Sequence, residues 1–406
     1  MSLRSSSTQL LGSSAMQGGT PRALALAETP LHIFNLVALA ETEGSPAWRA
    51  PIDLVVLKQF ALGERLVAAL EESGLFSSVT VIEPYYSFKN KSKVMTATLK
   101  GVLAPTWHRQ KHCPKPLSKL DSDYQYLLVG CATIYAMDMK TWFVPHGETV
   151  FFEEGEGSYL GNFVKSAACF DREILKQSKS KSRWLSSTVL NVMSAGKLRF
   201  NARRLFLYRP ECVEPGIYRE DLDVRAITPI NPDSSIAKGL FGAPSALQTN
   251  WIYLGSPDVD RDSNEQDRSL SLLRTIARGH EVMYRRHPRS RGDGNELPES
   301  VSIDDSQCLW EALCLNGAVN DETVIFGFGS TAQINPVRMF DLHPTLIFLH
   351  HFMREGIDKR CAERTHRQAV LMCGEEKVFA PASEDELDLL VEKLMVREGN
   401  CEGMYE

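Results

Sequence analysis

The sequence predicts an α/β protein with two parallel, doubly wound sheets that face a central cleft. Three observations indicate this architecture. A chain of 406 residues is too long for one ordinary core. Short apolar runs alternate with helical stretches, and a segment rich in Pro, Ser, Asn and Gly over residues 226–250 interrupts that alternation. We therefore expect a disordered tail over 1–20, one Rossmann-like domain over 21–235 and a second over 236–406.

The individual elements follow from the positions of the apolar runs. Thr29 precedes the first predicted helix, and Pro30 occupies its first position, where a missing N–H group costs nothing. The predicted strands of the first half cover residues 22–27, 52–57, 79–82, 124–129 and 149–152, with a helix over 60–73. Those of the second half cover residues 251–254, 281–284, 324–326 and 345–349, before a final helix over 383–397.

Composition and charge exclude several classes of function. The net charge of −6 gives no general reason to expect a nucleic-acid partner. Nine cysteines without a Cys-x-x-Cys pair are typical of reduced thiols, and they predict neither a disulfide framework nor a structural zinc site. No apolar run approaches the roughly 20 residues that span a bilayer. We therefore expect a cytoplasmic protein, with the inner face of the cytoplasmic membrane as its alternative location.

The first motif is an acidic pair that follows a predicted strand. Glu153 and Glu154 come directly after the apolar run and precede Gly155, so the chain turns and exposes them at the strand end. Adjacent carboxylates raise the pKa of at least one of the two, because both cannot ionise freely at close range. Such a group suits a general base for a hydroxyl proton. A solvated acidic loop is the alternative interpretation.

The second motif is a basic corner after another predicted strand. Arg285, Arg286, His287 and Pro288 follow one another, and proline restricts the backbone beside the histidine. Arginine forms bidentate contacts with phosphate, and histidine can donate to a phosphate or protonate a leaving oxygen. The motif therefore predicts an anion site, with a basic surface turn as the alternative.

The third motif combines glycines with hydroxyl side chains at a predicted helix start. Gly327 and Gly329 end a strand, and Ser330 and Thr331 lead into the next helix. Backbone N–H groups and hydroxyls at a helix N-terminus bind anions. The spacing matches neither a Walker A loop nor Gly-x-Gly-x-x-Gly, so the motif does not predict an ATP or dinucleotide site.

In this order the three motifs resemble those of the bacterial sialyltransferases, which include the lipooligosaccharide sialyltransferases and the capsular polysialyltransferases. The His-Pro pair follows the acidic pair by about 130 residues, and the Ser-Thr pair follows about 40 residues later. The segment Thr29-Pro30-Leu31 is also similar to the Thr-Pro-Leu start of the lipooligosaccharide group. The resemblance covers roughly residues 22–390.

The resemblance implies the GT-B fold, a CMP-linked donor, inversion at the transferred sugar, and neither a metal nor another cofactor. It implies that Glu153 is the catalytic base with Glu154 in support, and that His287 binds the phosphate and can act as the acid. Both acidic positions are Glu where Asp is common in these families, so the base stays open between the two. The residues implied to bind the donor are Gly255, Arg286, His287, Pro288, Glu311, Gly329, Ser330 and Thr331.

The implied reaction is transfer of sialic acid from CMP-sialic acid to a cell-surface glycan, either lipooligosaccharide or capsule. A Kdo transferase that uses CMP-Kdo, a hexosyltransferase that uses a UDP-sugar, and a non-catalytic glycan-binding or assembly protein stay open as alternatives. The expected partners are a nucleotide-sugar donor and an oligosaccharide or glycolipid acceptor, and a homodimer stays open. Residues 165–204 hold ten Lys or Arg against two acidic residues, which predicts contact with anionic lipid headgroups or an acidic acceptor, or else a solvated helical face.

Overall fold

The computed structural model describes fourteen segments of the chain. These are residues 21–48, 50–59, 64–86, 105–121, 123–159, 202–213, 215–218, 220, 222–242, 247, 249–256, 263–287, 297–304 and 308–402. The predicted tail over 1–20, Pro288 and most of the basic segment 165–204 lie outside the described residues.

The first sheet contains seven strands. They are β1 (Ala23–Ala27), β2 (Ile52–Leu57), β3 (Phe76–Ile82), β4 (Tyr126–Val129), β5 (Glu148–Phe152), β6 (Ala202–Leu207) and β7 (Asp223–Ala226). Their order is β3-β2-β1-β4-β5-β6-β7, and every pairing is parallel. The chain runs outward from β1 to β3 and restarts on the other side of β1 at β4. The strand order therefore reverses between β1 and β4, and ligands of open parallel sheets bind beyond the carboxyl ends at such a reversal.

The second sheet repeats this arrangement with six strands. They are β8 (Trp251–Leu254), β9 (Val282–Arg285), β10 (Val301–Ile303), β11 (Val324–Gly327), β12 (Thr345–Phe348) and β13 (Val378–Phe379). Their order is β10-β9-β8-β11-β12-β13, again with parallel pairings. The reversal lies between β8 and β11. Two doubly wound parallel sheets confirm the predicted α/β class.

Helices connect the strands and cover the sheets. They are α1 (Pro30–Glu41), α2 (Glu64–Glu72), α3 (Pro105–His112), α4 (Ile134–Phe143), α5 (Glu156–Tyr159), α6 (Ser235–Phe241), α7 (Ser263–Ile276), α8 (Trp310–Leu315), α9 (Thr331–Phe340), α10 (Ile357–Cys373) and α11 (Glu384–Glu402). Thr29 caps α1 as predicted, since its Oγ1 accepts the backbone N–H of His32 at 3.2 Å.

Four strands of the described segments were not predicted from the sequence. β6 carries Arg203 and Arg204 inside the basic segment, and β7 is an edge strand whose residues are mostly exposed, so neither shows a continuous apolar run. β10 and β13 are three and two residues long, which is too short for a pattern. Arg204 forms a two-pronged ion pair with Glu148 on β5, at 2.7 and 2.8 Å, so this arginine is engaged within the sheet. Helix α6 lies within residues 226–250, the segment predicted to separate the two halves.

The two halves meet through a shared apolar core. Phe34 of α1 packs against Phe241 of α6 with ring centroids 4.8 Å apart, and against Phe340 of α9 at 5.9 Å. The side-chain amide of Asn316 donates to the carbonyl oxygen of Phe241 at 3.2 Å. Helix α6 also packs against α2 of the first half. Apolar side chains of the two halves therefore pack in one common core.

Two negative findings hold for the described part of the chain. Its helices include none that is long and apolar enough to cross a bilayer. The cysteines within it form no disulfide.

Candidate active site

The strand reversal of the first sheet gathers side chains from three strand ends. Glu28 follows β1, Thr133 lies in the segment between β4 and α4, and Glu154 follows β5. Thr133 Oγ1 donates to Glu28 Oε1 at 2.5 Å and accepts the backbone N–H of Ala136 at 3.1 Å, so one side chain both caps α4 and holds the first carboxylate. The reversal thus places two carboxylates at the position where such sheets bind ligands.

The two carboxylates differ in exposure and interact. Glu28 is only 8% exposed, and burial, the largest cause, raises the pKa of its carboxyl from 4.5 to about 7. The Thr133 hydroxyl opposes this rise in pKa, and the charge of Glu154 adds to it. Glu154 is half-buried. A pair in which one carboxyl titrates near neutrality while the other is more open matches the requirements of general base chemistry at neutral pH.

Glu153, the base preferred from the sequence, lies on the opposite side of the strand end and is 1% exposed. Its Oε2 accepts the hydroxyl of Tyr159 at 2.6 Å and the backbone N–H of Tyr208 at 2.9 Å, while Arg338 Nη1 lies 3.7 Å from its Oε1. Burial raises the pKa of this carboxyl, and Arg338 is the largest opposing influence. Within the described residues, these partners leave the Glu153 carboxylate less accessible than the half-buried Glu154, and the role of Glu153 as the base stays a prediction.

The turn after the acidic pair crosses to the second half of the molecule. Gly155 adopts a φ of +135°, and a Cβ there would lie 2.5 Å from Thr331 Oγ1. The backbone N–H of Glu156 donates to that same oxygen at 3.1 Å. Thr331 therefore holds the acidic turn against the N-terminus of α9, and only glycine permits so close an approach in this backbone conformation.

The strand reversal of the second sheet brings together the predicted donor-binding residues. Gly255 follows β8, and a Cβ there would lie 3.2 Å from the backbone nitrogen of His287, which follows β9. Gly329 has a φ of +81° and lies so close to Ala362 of α10 that a Cβ would approach its Cα to 2.6 Å. Ser330 then occupies the N-cap position of α9, without a capping hydrogen bond from its side chain. The four predicted positions Gly255, His287, Gly329 and Ser330 thus follow β8, β9 and β11 at one edge of the sheet.

Ser330 carries the clearest sign of an anion site. Its Oγ is buried and has no hydrogen-bond partner within the described segments. The hydroxyl lies at the N-terminus of the ten-residue helix α9, where the helix dipole and unpaired N–H groups favour negative charge. Arg286 is exposed and His287 is half-buried beside the same edge. Arginine, histidine and serine side chains therefore follow strands at the same edge of the second sheet.

One predicted donor contact, Glu311, and one residue of the basic corner, Arg285, have partners within the protein. Glu311 is 7% exposed, and its Oε1 accepts the side-chain amide of Asn335 at 2.7 Å. Burial, the largest cause, raises the pKa of the Glu311 carboxyl. Arg285 of the basic corner pairs with Asp304 and donates to the carbonyl oxygen of Cys308, so this arginine is engaged within the second half of the molecule.

Sequence reasoning assigned no role to three residues of this site. Glu28 and His32 belong to the segment around Thr29-Pro30, and their position after the first strand of a doubly wound sheet was the available signal. Arg338 lies in the last turn of α9, with its side chain completely buried, between Glu153 and Glu156. No local pattern marks it, because its partners are about 180 residues away in the sequence.

No known protein family matches this sequence, and no curated protein matches it. Solved structures do resemble it. The glycosyltransferase of kitacinnamycin matches with a TM-score of 0.51 and 12% identity, over 93% of this chain and 91% of its own. Spinosyn rhamnosyltransferase SpnG matches with a TM-score of 0.48 and 13% identity, over 92% and 91%. The glycosyltransferase VinC, solved with dTDP, matches with a TM-score of 0.46 and 11% identity, over 92% and 90%.

At these identities the likeness concerns the fold alone. The first of these structures, together with the two doubly wound sheets, confirms the GT-B fold with its two Rossmann-like halves.

Proposed function

We propose that this chain is an inverting glycosyltransferase that moves a sugar from a nucleotide-activated donor to a hydroxyl of a glycan. One observation carries the proposal. A carboxylate pair at the strand reversal of the first sheet is joined, through the contact of Gly155 with Thr331, to an anion-binding helix start at the reversal of the second sheet. Glycosyl transfer needs a base for the acceptor and a site for the leaving phosphate, and this contact brings the two regions together.

The reaction assigns a task to each region. The acceptor oxygen forms a bond to the anomeric carbon while its proton passes to the carboxylate of Glu154. The bond between the anomeric carbon and the phosphate oxygen breaks, and the nucleotide leaves with that electron pair. Ser330 Oγ–H, the N–H groups at the start of α9 and the side chains of Arg286 and His287 stabilise the negative charge that develops on the phosphate.

The donor that we propose is CMP-sialic acid, and the acceptor is a cell-surface glycan. The order and spacing of the acidic pair, His-Pro and Ser-Thr support this choice. Because the arginine, the histidine and the helix start supply positive potential at the phosphate, we propose that the reaction needs no metal ion. CMP-Kdo and a UDP-activated hexose are the alternative donors, and a glycan-binding protein without activity is the alternative outside enzymes.

Nucleotide binding and two matched variants test this proposal. We expect CMP to raise the melting temperature more than UDP or dTDP does, and CMP-sialic acid to be hydrolysed faster than CMP-Kdo or a UDP-sugar. Glu154→Gln should lower transfer by about 10²–10⁴-fold and leave CMP binding unchanged. Glu43→Gln, at an exposed position remote from the site, is the control for the substitution itself.

Other results would select other functions. A shift with UDP or dTDP alone would replace the CMP donor with a hexose donor. Glycan binding without hydrolysis of any nucleotide sugar would identify a binding protein. If Glu154→Gln transfers sugar at the wild-type rate, Glu154 is not the base in the crevice at the strand reversal of the first sheet. If Glu153→Gln instead loses most of its transfer activity, with nucleotide binding and folding unchanged, Glu153 is the base.

A further inference from the structure

His32 is a completely buried imidazole in the crevice at the strand reversal of the first sheet. It lies in the first turn of α1, is 0% exposed, and packs edge-on against Phe152 with ring centroids 5.4 Å apart. Its Nε2 points at Gly130, the residue after β4, where a Cβ would lie only 2.4 Å away. The absence of a side chain at Gly130 therefore makes room for this ring between the strand ends.

The hydrogen bonds of the ring determine where its proton lies. The backbone N–H of Glu28 donates to His32 Nδ1 at 3.1 Å, so Nδ1 carries no proton. Burial lowers the pKa of the imidazole from 6.5 to about 3, which keeps it neutral at physiological pH. A neutral ring holds one proton, which is therefore on Nε2. Nε2 has no hydrogen-bond partner in the described segments, although one is expected for a buried polar atom.

Two side chains that carry chemistry lie close to the Nε2–H group of His32. His32 Nε2, Cys131 Sγ and a carboxylate oxygen of Glu154 all lie within 4.8 Å of one another. Glu28 at the end of β1 is the other titratable group brought to this crevice. An acceptor hydroxyl bound here would thus meet one ionisable carboxylate, a second one with a raised pKa, a thiol and a fixed N–H donor.

A metal ion is the alternative occupant of these three side chains, because nitrogen, sulfur and carboxylate ligands suit Zn²⁺. The hydrogen bonds of His32 argue against it. A metal-binding imidazole presents an unprotonated nitrogen and donates its other N–H to a neighbour. Here Nδ1 accepts the backbone N–H of Glu28, which leaves the proton on Nε2, the nitrogen near Cys131 and Glu154.

We propose that His32 is a positioning residue whose Nε2–H donates to the carboxylate of Glu154 when the acceptor is bound, keeping Glu154 ionised and oriented as the base. This inference rests on the proposed function. The Nε2–H group favours the charged form of the carboxylate that it contacts. Glu154 and Glu28 therefore have different roles. Glu154 takes the proton of the acceptor, and Glu28, held by Thr133, is the carboxyl that retains a proton more readily.

Two variants separate the two nitrogens of the ring. His32→Asn places an amide oxygen near the Nδ1 position, where it can still accept the Glu28 N–H, but it does not reach the Nε2 position. His32→Gln extends an amide N–H to the Nε2 position. We expect His32→Asn to move the acidic limb of the pH profile of kcat/KM upward by roughly one pH unit, because Glu154 loses a donor that lowers its pKa. KM for the donor should be unchanged, and His32→Gln should restore the profile.

The outcomes of these experiments test the role of His32 separately from the proposed glycosyltransferase function. If Glu154→Gln abolishes transfer but His32→Asn keeps the wild-type pH profile, the role of His32 is refuted and the glycosyltransferase assignment stands. If Glu154→Gln transfers at the wild-type rate, the base assignment itself fails. If Zn²⁺ restores activity after EDTA treatment, and both His32→Asn and Cys131→Ser remove that effect, the three side chains bind a metal and the donor role is overturned.

Discussion

Arg338 of the second half and Glu156 of the first form an ion pair across the interface of the two halves, with Nη2 2.5 Å from Oε2. The arginine side chain is 0% exposed and that of the glutamate 9%. The same guanidinium donates to Gln368 Oε1 at 3.0 Å and stacks over the ring of Tyr159 at 4.0 Å. Since Glu156 immediately follows the acidic turn, this pair helps to set where the proposed base lies relative to the donor-binding edge.

The buried ion pair leads to a prediction about stability. Arg338→Met leaves Glu153 and Glu156 buried without their counter-charge, which should lower the free energy of unfolding by about 3–5 kcal/mol. Denaturation in urea at neutral pH measures the change. Arg278→Met is the matched control, because its ion pair with Asp388 involves an arginine that is 67% exposed, and such surface pairs contribute at most about 1 kcal/mol. Equal losses in the two variants would refute the interface role of Arg338.

The raised pKa of Glu28 predicts that this residue lowers the free energy of unfolding in a pH-dependent way. The carboxyl titrates at about 7 in the folded protein and at 4.5 in its ordinary state, so between these values the native state binds more protons than the unfolded state. Its contribution to stability therefore falls as pH rises from 4.5 to 7, and the full cost is present above 7. Glu28→Gln should be more stabilising at pH 8 than at pH 5 by up to about 3 kcal/mol.

Denaturation of the Glu28→Gln variant at the two pH values checks this prediction. Thr133→Ser keeps the hydroxyl that donates to Glu28 and should leave the pH dependence as it is in the wild type. Thr133→Val removes the donor, which raises the pKa of Glu28 further and should steepen the loss of stability with pH. A Glu28→Gln effect that is equal at both pH values would show that this carboxyl is not perturbed.

Gly155 and Gly74 form a matched pair of glycines with positive φ. A Cβ at Gly155 would lie 2.5 Å from Thr331 Oγ1, whereas at Gly74, with a φ of +69°, it would meet no atom within 4 Å. Gly74→Ala should therefore cost about 1 kcal/mol of stability from backbone strain and leave activity intact. Gly155→Ala should also displace the acidic turn from α9 and lower transfer by about 10²-fold.

Steady-state kinetics and nucleotide binding distinguish the two glycine variants. We expect Gly155→Ala to lose turnover while it still binds CMP, because Ser330 and the helix start remain in place. Equal turnover in the two alanine variants would mean that the contact between the turn and Thr331 is not needed for the reaction.

Much of the fold could be predicted from local sequence. The strands β2 and β8 begin and end where predicted, because apolar runs of four to six residues between turn signals are sufficient evidence for buried parallel strands. The same patterns place the acidic pair, the basic corner and the Ser-Thr pair after strands β5, β9 and β11. Short or polar edge strands such as β7 were not predicted, because they bury too little side-chain surface to require an apolar run.

Local sequence is enough to place two carboxylates directly after β5, but the surroundings of each carboxylate depend on the tertiary fold. Glu153 is 1% exposed, whereas its neighbour Glu154 is half-buried. Tyr159, Tyr208 and Arg338 enclose Glu153, while Glu28 and His32 bring Glu154 into a second cluster. Most of these partners are far away along the chain, and the pKa and reach of a carboxyl depend on what the fold brings against it.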